Sequence, residues 1–190
     1  PYLKYGGVGK YPKYKKGYLV VMQHPVTNEY KESRSQISHT LKAIRNLNIP
    51  TFWFWPNIDA GSDGTSGGIR SFRETNNIDN IHFFKNMEPR DFLILIKNSI
   101  CLIGNSSVAI RECSFLGVPV VNIGSRQNRR ERADNVIDVN YNHIEIEKAI
   151  VNSKVKKPKS SKIYGNGKAG AIIADLLFQV KLISHKTIEY

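Results

Sequence analysis

Short apolar runs alternate with longer amphipathic stretches along this chain, and that alternation restricts the fold more than any other feature. The apolar runs predict strands at 18–22, 51–55, 81–84, 100–103, 118–123 and 135–139. The amphipathic stretches predict helices at 28–47, 67–76 and 88–98, from a turn at 104–107 to 116, and at about 142–152 and 166–184. Nearly continuous apolar strands separated by helices are typical of a parallel sheet covered on both faces. With right-handed crossovers, we predict a Rossmann-like, doubly wound parallel α/β sheet.

The length and composition of the chain suit one folded layer of this kind. Its 190 residues, 41% of them hydrophobic, are enough for one substantial core. No stretch approaches the roughly 18 uninterrupted apolar residues that a membrane-spanning helix needs, so we expect no membrane partner. The chain begins at Pro1 without an initiator Met or an apolar leader, and we interpret it as a fragment of a longer protein.

The net charge of +12 comes almost entirely from two segments. Residues 1–17 contain five lysines and no acid, and residues 153–168 contain six lysines and no acid. A groove that binds a polyanion normally carries its basic residues on the folded elements, so this distribution argues against nucleic-acid binding. We predict a basic connector at 1–17, a domain at 18–184 with a lysine-rich linker at 153–163 before its last helix, and a tail at 185–190.

The cysteines and histidines indicate no metal site. Cys101 and Cys113 lie in apolar stretches and are too few for a disulfide scaffold or a cysteine-rich zinc site. We expect buried free thiols in a reducing, cytoplasmic compartment. Four histidines lack metal-ligand spacing and are assigned no role: His39, His82, His143 and His185. We therefore expect no cofactor.

Polar residues follow five of the predicted strands, at the carboxyl ends where parallel sheets bind ligands. They are His24, Asn57 with Asp59, Lys85 with Asn86, the turn 104–107, and Gly124 to Arg126. Five turns that direct polar groups to one edge of the sheet indicate a ligand site better than any single motif.

The turn Gly104-Asn105-Ser106-Ser107 leads from the fourth strand into a helix. Unpaired main-chain N–H groups at a helix N-terminus, together with two serine hydroxyls, suit a phosphate or a diphosphate. The alternative is that Asn105 or Ser106 only caps the helix. No Gly-Lys-Ser/Thr sequence follows, so the turn is not a Walker loop and does not imply ATP hydrolysis.

Two charged residues near this turn have both a functional and an ordinary interpretation. Glu112 lies a little over one turn into the predicted helix, where a carboxylate suits the hydroxyls of a ribose, or it is a surface glutamate. Arg126 follows the fifth strand and is suited to clamp a diphosphate. We interpret its neighbours Arg129, Arg130 and Arg132 as a solvated basic loop.

His24 and the aromatic residues are also open to more than one interpretation. One interpretation of His24 is that it contacts a phosphate or donates a proton. The other is that it is an ordinary histidine at a strand end, with its ring hydrogen-bonded to the main chain. Phe92 either belongs to the core or lies against a base at the mouth of the site. Trp53 and Trp55 alternate with phenylalanines, which favours core on both sheet faces over a carbohydrate platform.

Several motifs resemble those of the UDP-N-acetylglucosamine 2-epimerases, in the same order and over about residues 18–177. They are His24-Pro25-Val26-Thr27, Pro56-Asn57-Ile58-Asp59-Ala60-Gly61-Ser62-Asp63, Gly104-Asn105-Ser106-Ser107, Arg111-Glu112, the run from Gly117 to Gln127, and the run from Ser161 to Ala169. The Asn-Ile-Asp-Ala-Gly-Ser and Gly-Asn-Ser-Ser forms resemble the hydrolysing branch, which releases UDP and N-acetylmannosamine. The other branch usually carries Asp-Ser-Gly-Gly at the serine turn.

The resemblance implies the second, nucleotide-binding half of a GT-B architecture, in which two Rossmann-like domains face each other across a cleft. It also implies roles for the residues singled out above: Ser106 and Ser107 at the diphosphate, Glu112 at the ribose, Arg126 and His24 on the phosphate side, Asn57 in the cleft and Phe92 near the uracil. The acid/base carboxylates of the family belong to the first domain. We therefore expect a UDP-sugar such as UDP-N-acetylglucosamine as ligand, the N-terminal domain as partner, and no turnover by this chain alone.

Three other functions remain open from the sequence. A GT-B glycosyltransferase half would share the fold, although its usual two glutamates eight residues apart at the serine turn are missing here. A basic nucleic-acid module would use the tyrosines interleaved with lysines at 1–17 to stack on bases. A regulatory nucleotide-binding protein would be complete as it stands. The exact sugar, N-acetylglucosamine or a diacetylated bacillosamine-type sugar, and homo-oligomer formation also remain open.

Overall fold

The computed structural model describes residues 2–155 and 158–181, and it contains one sheet of six parallel strands. The strands are β1 (Leu19–Met22), β2 (Thr51–Phe54), β3 (Ile81–Phe84), β4 (Cys101–Gly104), β5 (Val120–Ile123) and β6 (Val136–Val139). Their order across the sheet is β3-β2-β1-β4-β5-β6. The predicted doubly wound parallel sheet is therefore confirmed. The order in which successive strands are added to the sheet reverses between β1 and β4, and sheets of this kind bind ligands at that point.

Helices cover both faces of the sheet. They are α1 (Ser33–Leu47), α2 (Ser62–Thr75), α3 (Pro89–Lys97), α4 (Ser107–Ile110), α5 (Glu112–Leu116), α6 (His143–Ser153) and α7 (Ala169–Gln179), with short 3-10 helices at Tyr2–Tyr5 and Thr27–Glu32. One apolar cluster joins the sheet to α1, α2 and α6, and a second joins it to α3, α4 and α5. Helices on both faces explain why the strands are apolar along their whole length.

Successive residues along a strand enter opposite clusters, as the alternation of side chains requires. In β1, Leu19 enters the α1 side and Val20 the α3 side. Trp53 is fully buried on the α1 side, so its interpretation as core is confirmed. Both cysteines are free and buried, as predicted, with Cys101 on the α1 side and Cys113 on the α3 side.

Two helices differ from the sequence prediction. The segment up to Thr65 was predicted as a loop because glycine disfavours helix, yet α2 already begins at Ser62. The reason is packing: a Cβ at Gly64 would collide with the side chain of Ser33, so glycine lets the first turn of α2 lie close against α1. The helix predicted from the serine turn to Leu116 is broken at Arg111 (φ −97°, ψ −75°), which separates α4 from α5.

The predicted connector at 1–17 is corrected by the structure. Its lysines are exposed, but Tyr2 is buried and Tyr11 packs on Phe52 of the sheet, with ring centroids 5.5 Å apart. Val8 exchanges main-chain hydrogen bonds with Phe83 at the sheet edge. The tyrosine rings of the segment therefore extend the second apolar cluster, while its lysines stay at the surface.

The last helix, α7, lies apart from both clusters. Every residue at 169–179 is exposed, and its apolar side chains include Phe178, which is 95% exposed. The predicted helix at 166–184 is shorter in the structure, and some predictions fall outside the described residues: the helix end at 182–184, Lys156, Lys157, His185 and the tail 185–190. In the part of the chain that is described, no helix is long and apolar enough to cross a membrane.

Candidate functional site

The site is built around Asn105, at the point where β1 and β4 end side by side. The side chain of Asn105 is fully buried, and it pairs with the main chain of His24: Oδ1 accepts from the N–H (2.8 Å) and Nδ2 donates to the carbonyl (2.8 Å). The preceding residue must be glycine, because Gly104 has φ +129° and a Cβ there would collide with the carbonyl oxygen of Met22. Asn105 thus joins two strand-end turns and is not the helix cap considered from the sequence.

His24 is held as a neutral imidazole. Its Nδ1 accepts a hydrogen bond from the main-chain N–H of Asn57 at 3.1 Å, so the proton of the neutral ring lies on Nε2. Burial, followed by the nearby Arg126, lowers the pKa of His24 to about 4, and Asp59 only partly opposes this. His24 is therefore a hydrogen-bond donor through Nε2 at neutral pH rather than a cation.

Arg126 reaches the same group of turns from the end of β5. Its guanidinium donates to the carbonyl of Asn105 at 3.3 Å and lies 3.5 Å from Oδ2 of Asp59. Gln127 donates to that same carbonyl at 2.7 Å. Of the neighbouring arginines, Arg132 pairs with Asp138 at 2.7 Å, away from this group. The structure therefore brings Arg126, but not the rest of the basic loop, to His24 and Asn105.

Glu29 connects a further turn to this network, although no motif in the sequence indicated a role for it. Its carboxylate accepts hydrogen bonds from Ser125 and, at 2.6 Å, from Nε2 of Gln36. Ser125 directly precedes Arg126, so these bonds help to hold the turn after β5. Only the folded chain brings Glu29 and Ser125 together, and no motif spacing could have predicted the pair.

The serine turn carries hydrogen-bond donors at the same edge. Ser106 is buried and caps α4, with its Oγ accepting from the N–H of Val108 at a long 3.4 Å. Within the described part of the chain, the main-chain N–H groups of Ser106 and Ser107 donate to no protein acceptor. Because α4 has only four residues, these local N–H groups and hydroxyls, rather than a long helix dipole, are what the turn offers an anion.

Glu112 lines a cavity of about 320 Å³ beside α5. Its side chain is 35% exposed, and its Oε1 is 3.8 Å from Nη2 of Arg111. Its Oε2 is buried and has no hydrogen-bond partner among the described residues. An unsatisfied buried carboxylate oxygen is costly, so it marks a place where an incoming hydroxyl donor would stabilise the group. Because rotation of the carboxylate exchanges its two oxygens, either oxygen can accept a hydrogen bond from a donor in the cavity.

The end of the predicted linker at 153–163 and the residues just after it contribute to the lining of this cavity. The main chain of Ser161 donates to the carbonyl of Ser114 at 2.9 Å, and Tyr164 donates to the carbonyl of Glu131 at 2.6 Å. Both Ser161 and Tyr164 line the cavity. The part of the linker that follows Pro158 is therefore fixed against α5, which its lysine-rich composition did not indicate.

Phe92 and Asn57 lie elsewhere around the site. Phe92 is half-buried and packs edge-on against Phe54, with ring centroids 5.1 Å apart, and the neighbouring Leu93 lines the Glu112 cavity instead. The main-chain N–H of Asn57 belongs to the site through its hydrogen bond to His24. Asn57 also lines a separate cavity at the ends of β2 and β3. The structure does not bring the Phe92 ring into the cavity of Glu112.

Comparisons with known proteins place the chain in a family. A family model described as UDP-N-acetylglucosamine 2-epimerase matches residues 6–178. The chain is 31% identical over 166 residues to the UDP-N,N'-diacetylbacillosamine 2-epimerase (hydrolyzing) of Legionella pneumophila, which is 87% of this chain and 43% of that protein. It is 36% identical over 132 residues to polysialic acid biosynthesis protein P7 of Escherichia coli, which is 68% of this chain and 33% of that protein.

A solved structure has the same fold. The UDP-GlcNAc 2-epimerase of Neisseria meningitidis bound to UDP-GlcNAc superposes with a TM-score of 0.69 at 16% identity, over 87% of this chain and 46% of that chain. The chain thus spans less than half the length of these relatives. Because the family model covers most of its residues, the chain belongs to the UDP-N-acetylglucosamine 2-epimerase family.

Proposed function

We propose that this chain is the UDP-binding half of a hydrolysing UDP-sugar 2-epimerase. The observation that carries the proposal is the unpartnered buried oxygen of Glu112 in a chain of this family, because a ribose hydroxyl would supply the donor that the protein does not. In this proposal Ser106, Ser107 and Arg126 bind the diphosphate. His24 donates to a phosphate oxygen through Nε2, and Asn57 orients that imidazole through its main-chain N–H.

The chemistry gives this half a defined task. The C2 proton of a nucleotide sugar is weakly acidic, so the reaction first eliminates UDP: the C2–H and C1–O bonds break and a glycal forms. Water then adds to the glycal to give the 2-epimeric free sugar. The guanidinium of Arg126 and the donors of the serine turn stabilise the negative charge on the departing diphosphate. The proton transfers at the sugar are assigned to carboxylates of another domain.

The exposed α7 supports the existence of that other domain. Its side chains Ile172, Ile173, Leu176 and Leu177 are each more than half exposed, although they are apolar. A helix of this kind is normally covered by a neighbouring layer. We propose that the N-terminal half of the parent enzyme covers α7 and that the complete site lies between the two halves.

The finer features of the parent enzyme are proposed from its relatives. The name of the Legionella pneumophila protein indicates a hydrolysing reaction and an N-acetylated UDP-sugar. The name of the Escherichia coli protein indicates polysialic acid biosynthesis. We accordingly propose an N-acetylated UDP-hexosamine as substrate, a cytoplasmic location where UDP-sugars are made, and a product used for sialic acid or a cell-surface polysaccharide.

Isothermal titration of the chain with UDP tests the proposal. We expect binding of UDP, weaker binding of UMP because one phosphate is lost, and weaker binding of ADP because the base differs. We also expect no release of a free sugar from UDP-N-acetylglucosamine. Absence of heat with millimolar UDP would contradict the site assignment, and release of N-acetylmannosamine would contradict the division of labour between two halves.

A further inference from the structure

Another cavity, larger than the one at Glu112, opens at the carboxyl ends of β2 and β3. Its volume is about 930 Å³, and none of its lining residues lines the Glu112 cavity. Arg70 and Arg73 of α2 form one wall, and Trp55 and Lys85, which directly follow the two strands, form another. A concave surface of this size is large enough for a small organic molecule.

The polar lining of this cavity is mostly positive. It contains the cations of Arg70, Arg73 and Lys85 and the single anion of Glu74. In residues 2–155 and 158–181, none of these four side chains forms an ion pair. Basic groups that converge on a concavity without protein partners raise the local concentration of anions. The cavity therefore favours an anionic occupant.

The two arginines are arranged to act together. Arg70 and Arg73 are three positions apart on α2, so they project from the same side of the helix. The guanidinium carbon of Arg73 lies 5.3 Å from the centroid of the Phe83 ring, which restricts its position. The positioned guanidinium of Arg73, with the exposed Arg70 beside it, suits the planar or forked oxygens of a carboxylate or a phosphate.

An apolar surface lies beside these charges. The half-buried ring of Trp55 packs against Phe83 with centroids 5.5 Å apart, and Pro56 and Ile58 extend the surface. Ile58 is 100% exposed, which is unusual for an isoleucine at the mouth of a cavity. A ligand that covers this surface needs a ring or another apolar face in addition to its anionic group.

We propose that this cavity is a second ligand site, which binds a small organic anion composed of a sugar-sized ring and a phosphate or carboxylate group. The anionic group lies between Arg70 and Arg73, and the ring covers Trp55. The proposed ligand site is separate from the Glu112 cavity, because the two cavities share no lining residue. Asn57 lines the second cavity and also donates its main-chain N–H to His24 of the proposed UDP site.

The two tryptophans provide a specific readout. Trp53 is fully buried in the core, whereas Trp55 lines the cavity, so their indole N–H signals in a ¹⁵N–¹H spectrum separate the two environments. Glucose 6-phosphate and glucuronate are the probes, glucose is the neutral control, and Trp55→Phe assigns the signals. We expect at least one of the two anions to shift the Trp55 signal in a saturable way while the Trp53 signal and the glucose titration stay unchanged.

Charge variants separate this site from general electrostatic attraction. Arg70→Gln with Arg73→Gln should weaken binding at least tenfold, and Arg73→Lys should recover part of the loss. Glu74→Gln should tighten binding about two- to fivefold because it removes the opposing charge. A double variant of two exposed α1 residues, Lys42→Gln with Arg45→Gln, removes the same net charge and should leave binding within about twofold.

A further variant excludes binding of the probes at the serine turn. Arg126→Gln with Ser106→Ala should leave the Trp55 shift intact. The proposal is overturned if neither anion shifts Trp55 at 10 mM. It is also overturned if the α1 double variant weakens binding as much as the Arg70 and Arg73 double variant does. Loss of the Trp55 shift in the double variant of Arg126 and Ser106 would overturn it as well. Thermal unfolding of each variant confirms that it is folded.

Discussion

At the scale of single residues, His24 links the geometry of the site to the stability of the fold. The imidazole is only 5% exposed, and one hydrogen bond from Asn57 assigns its tautomer. Arg126 and burial both oppose protonation, so the group that suits phosphate binding here is a neutral donor. A buried histidine of this kind makes the fold sensitive to acid.

We predict that the chain loses stability as the pH falls from about 6.5 to about 4. The folded pKa of His24 is about 4 and its unfolded value is about 6.5, so the unfolded state binds the proton first. The loss reaches at most about 3 kcal/mol, at 1.36 kcal/mol for each pH unit between the two pKa values. Urea unfolding across this pH range measures it.

The control for this prediction compares two histidine variants. His24→Asn keeps an acceptor for the Asn57 N–H but does not titrate, so most of the difference between pH 4 and pH 6.5 should disappear. The matched control is His39→Asn, at a histidine that is less buried. Burial and the nearby His143 also lower the pKa of His39, so this variant should remove a smaller part of the stability difference between pH 4 and pH 6.5. An unchanged pH dependence in His24→Asn would contradict a neutral buried His24.

Glu112 and Ser106 should have different ligand dependences. Glu112→Ala should weaken uridine and UDP alike, by about 1.5–3 kcal/mol if the ribose donates to a charged oxygen. Ser106→Ala should weaken UDP by about 0.5–1.5 kcal/mol and leave uridine unchanged, because the main-chain donors of the turn remain. Titration calorimetry with UDP, uridine and 2′-deoxyuridine measures both effects.

The stability of the Glu112→Ala variant provides a second, independent measurement. Removing a buried oxygen that has no partner should leave the free energy of unfolding unchanged or raise it by up to about 1 kcal/mol. A residue kept for binding loses affinity on substitution without losing stability. If the losses from Glu112→Ala and from deoxyribose simply add, the carboxylate does not contact the ribose.

At the scale of elements, glycines decide where strands and helices can meet. Gly104 ends β4 beside β1 and adopts a backbone conformation that other residues rarely take, with φ +129°. Gly67 lies inside α2, where a Cβ would meet nothing within 4 Å. The first glycine is required by a close approach of two strand ends, and the second is not required by packing.

We predict opposite effects of alanine at these two positions. Gly104→Ala should lower the free energy of unfolding by about 2–4 kcal/mol and disturb the Asn105 turn, because both the backbone strain and the collision with Met22 must be relieved. Gly67→Ala should raise it by about 0.5–1 kcal/mol, since alanine favours helix. Denaturant unfolding measures both, and a stable Gly104→Ala variant would contradict the close approach.

At the scale of the whole molecule, α7 contributes little to the fold of this chain. None of its residues is buried, so its formation adds almost no apolar burial to either cluster. The free energy of unfolding of a chain that ends at residue 167 should therefore lie within about 0.5 kcal/mol of that of the full chain. It should also bind less of an apolar dye, because exposed leucines, isoleucines and a phenylalanine are removed. A large loss of stability would show that α7 packs on the domain.

The strands of the sheet and the residues of the candidate site could be predicted to different extents from the sequence. The strands were predicted within about two residues, since each is a local apolar run whose pattern does not depend on the rest of the chain. His24, Asn57, Ser106 and Arg126 were predicted to share one edge because parallel strands end together, and the structure brings them there. Their roles toward UDP stay a prediction.

The remaining features depend on contacts between distant parts of the chain. Asn105 lies 81 residues from His24, and Glu29 lies 96 residues from Ser125, so no local pattern shows that either pair meets. The packing of Tyr2 and Tyr11, in a segment as basic as 1–17, likewise required the sheet that they contact.

The sequence by itself determined the alternation of strands and helices, the parallel sheet and the edge where polar residues collect. These follow from the side-chain periodicity of local segments and from the handedness of their connections. Only the tertiary structure decided the break at Arg111, the early start of α2, the tautomer of His24 and the unpartnered oxygen of Glu112. Each of these depends on which atoms from distant segments become neighbours, because burial and hydrogen bonding are settled only when the chain is packed.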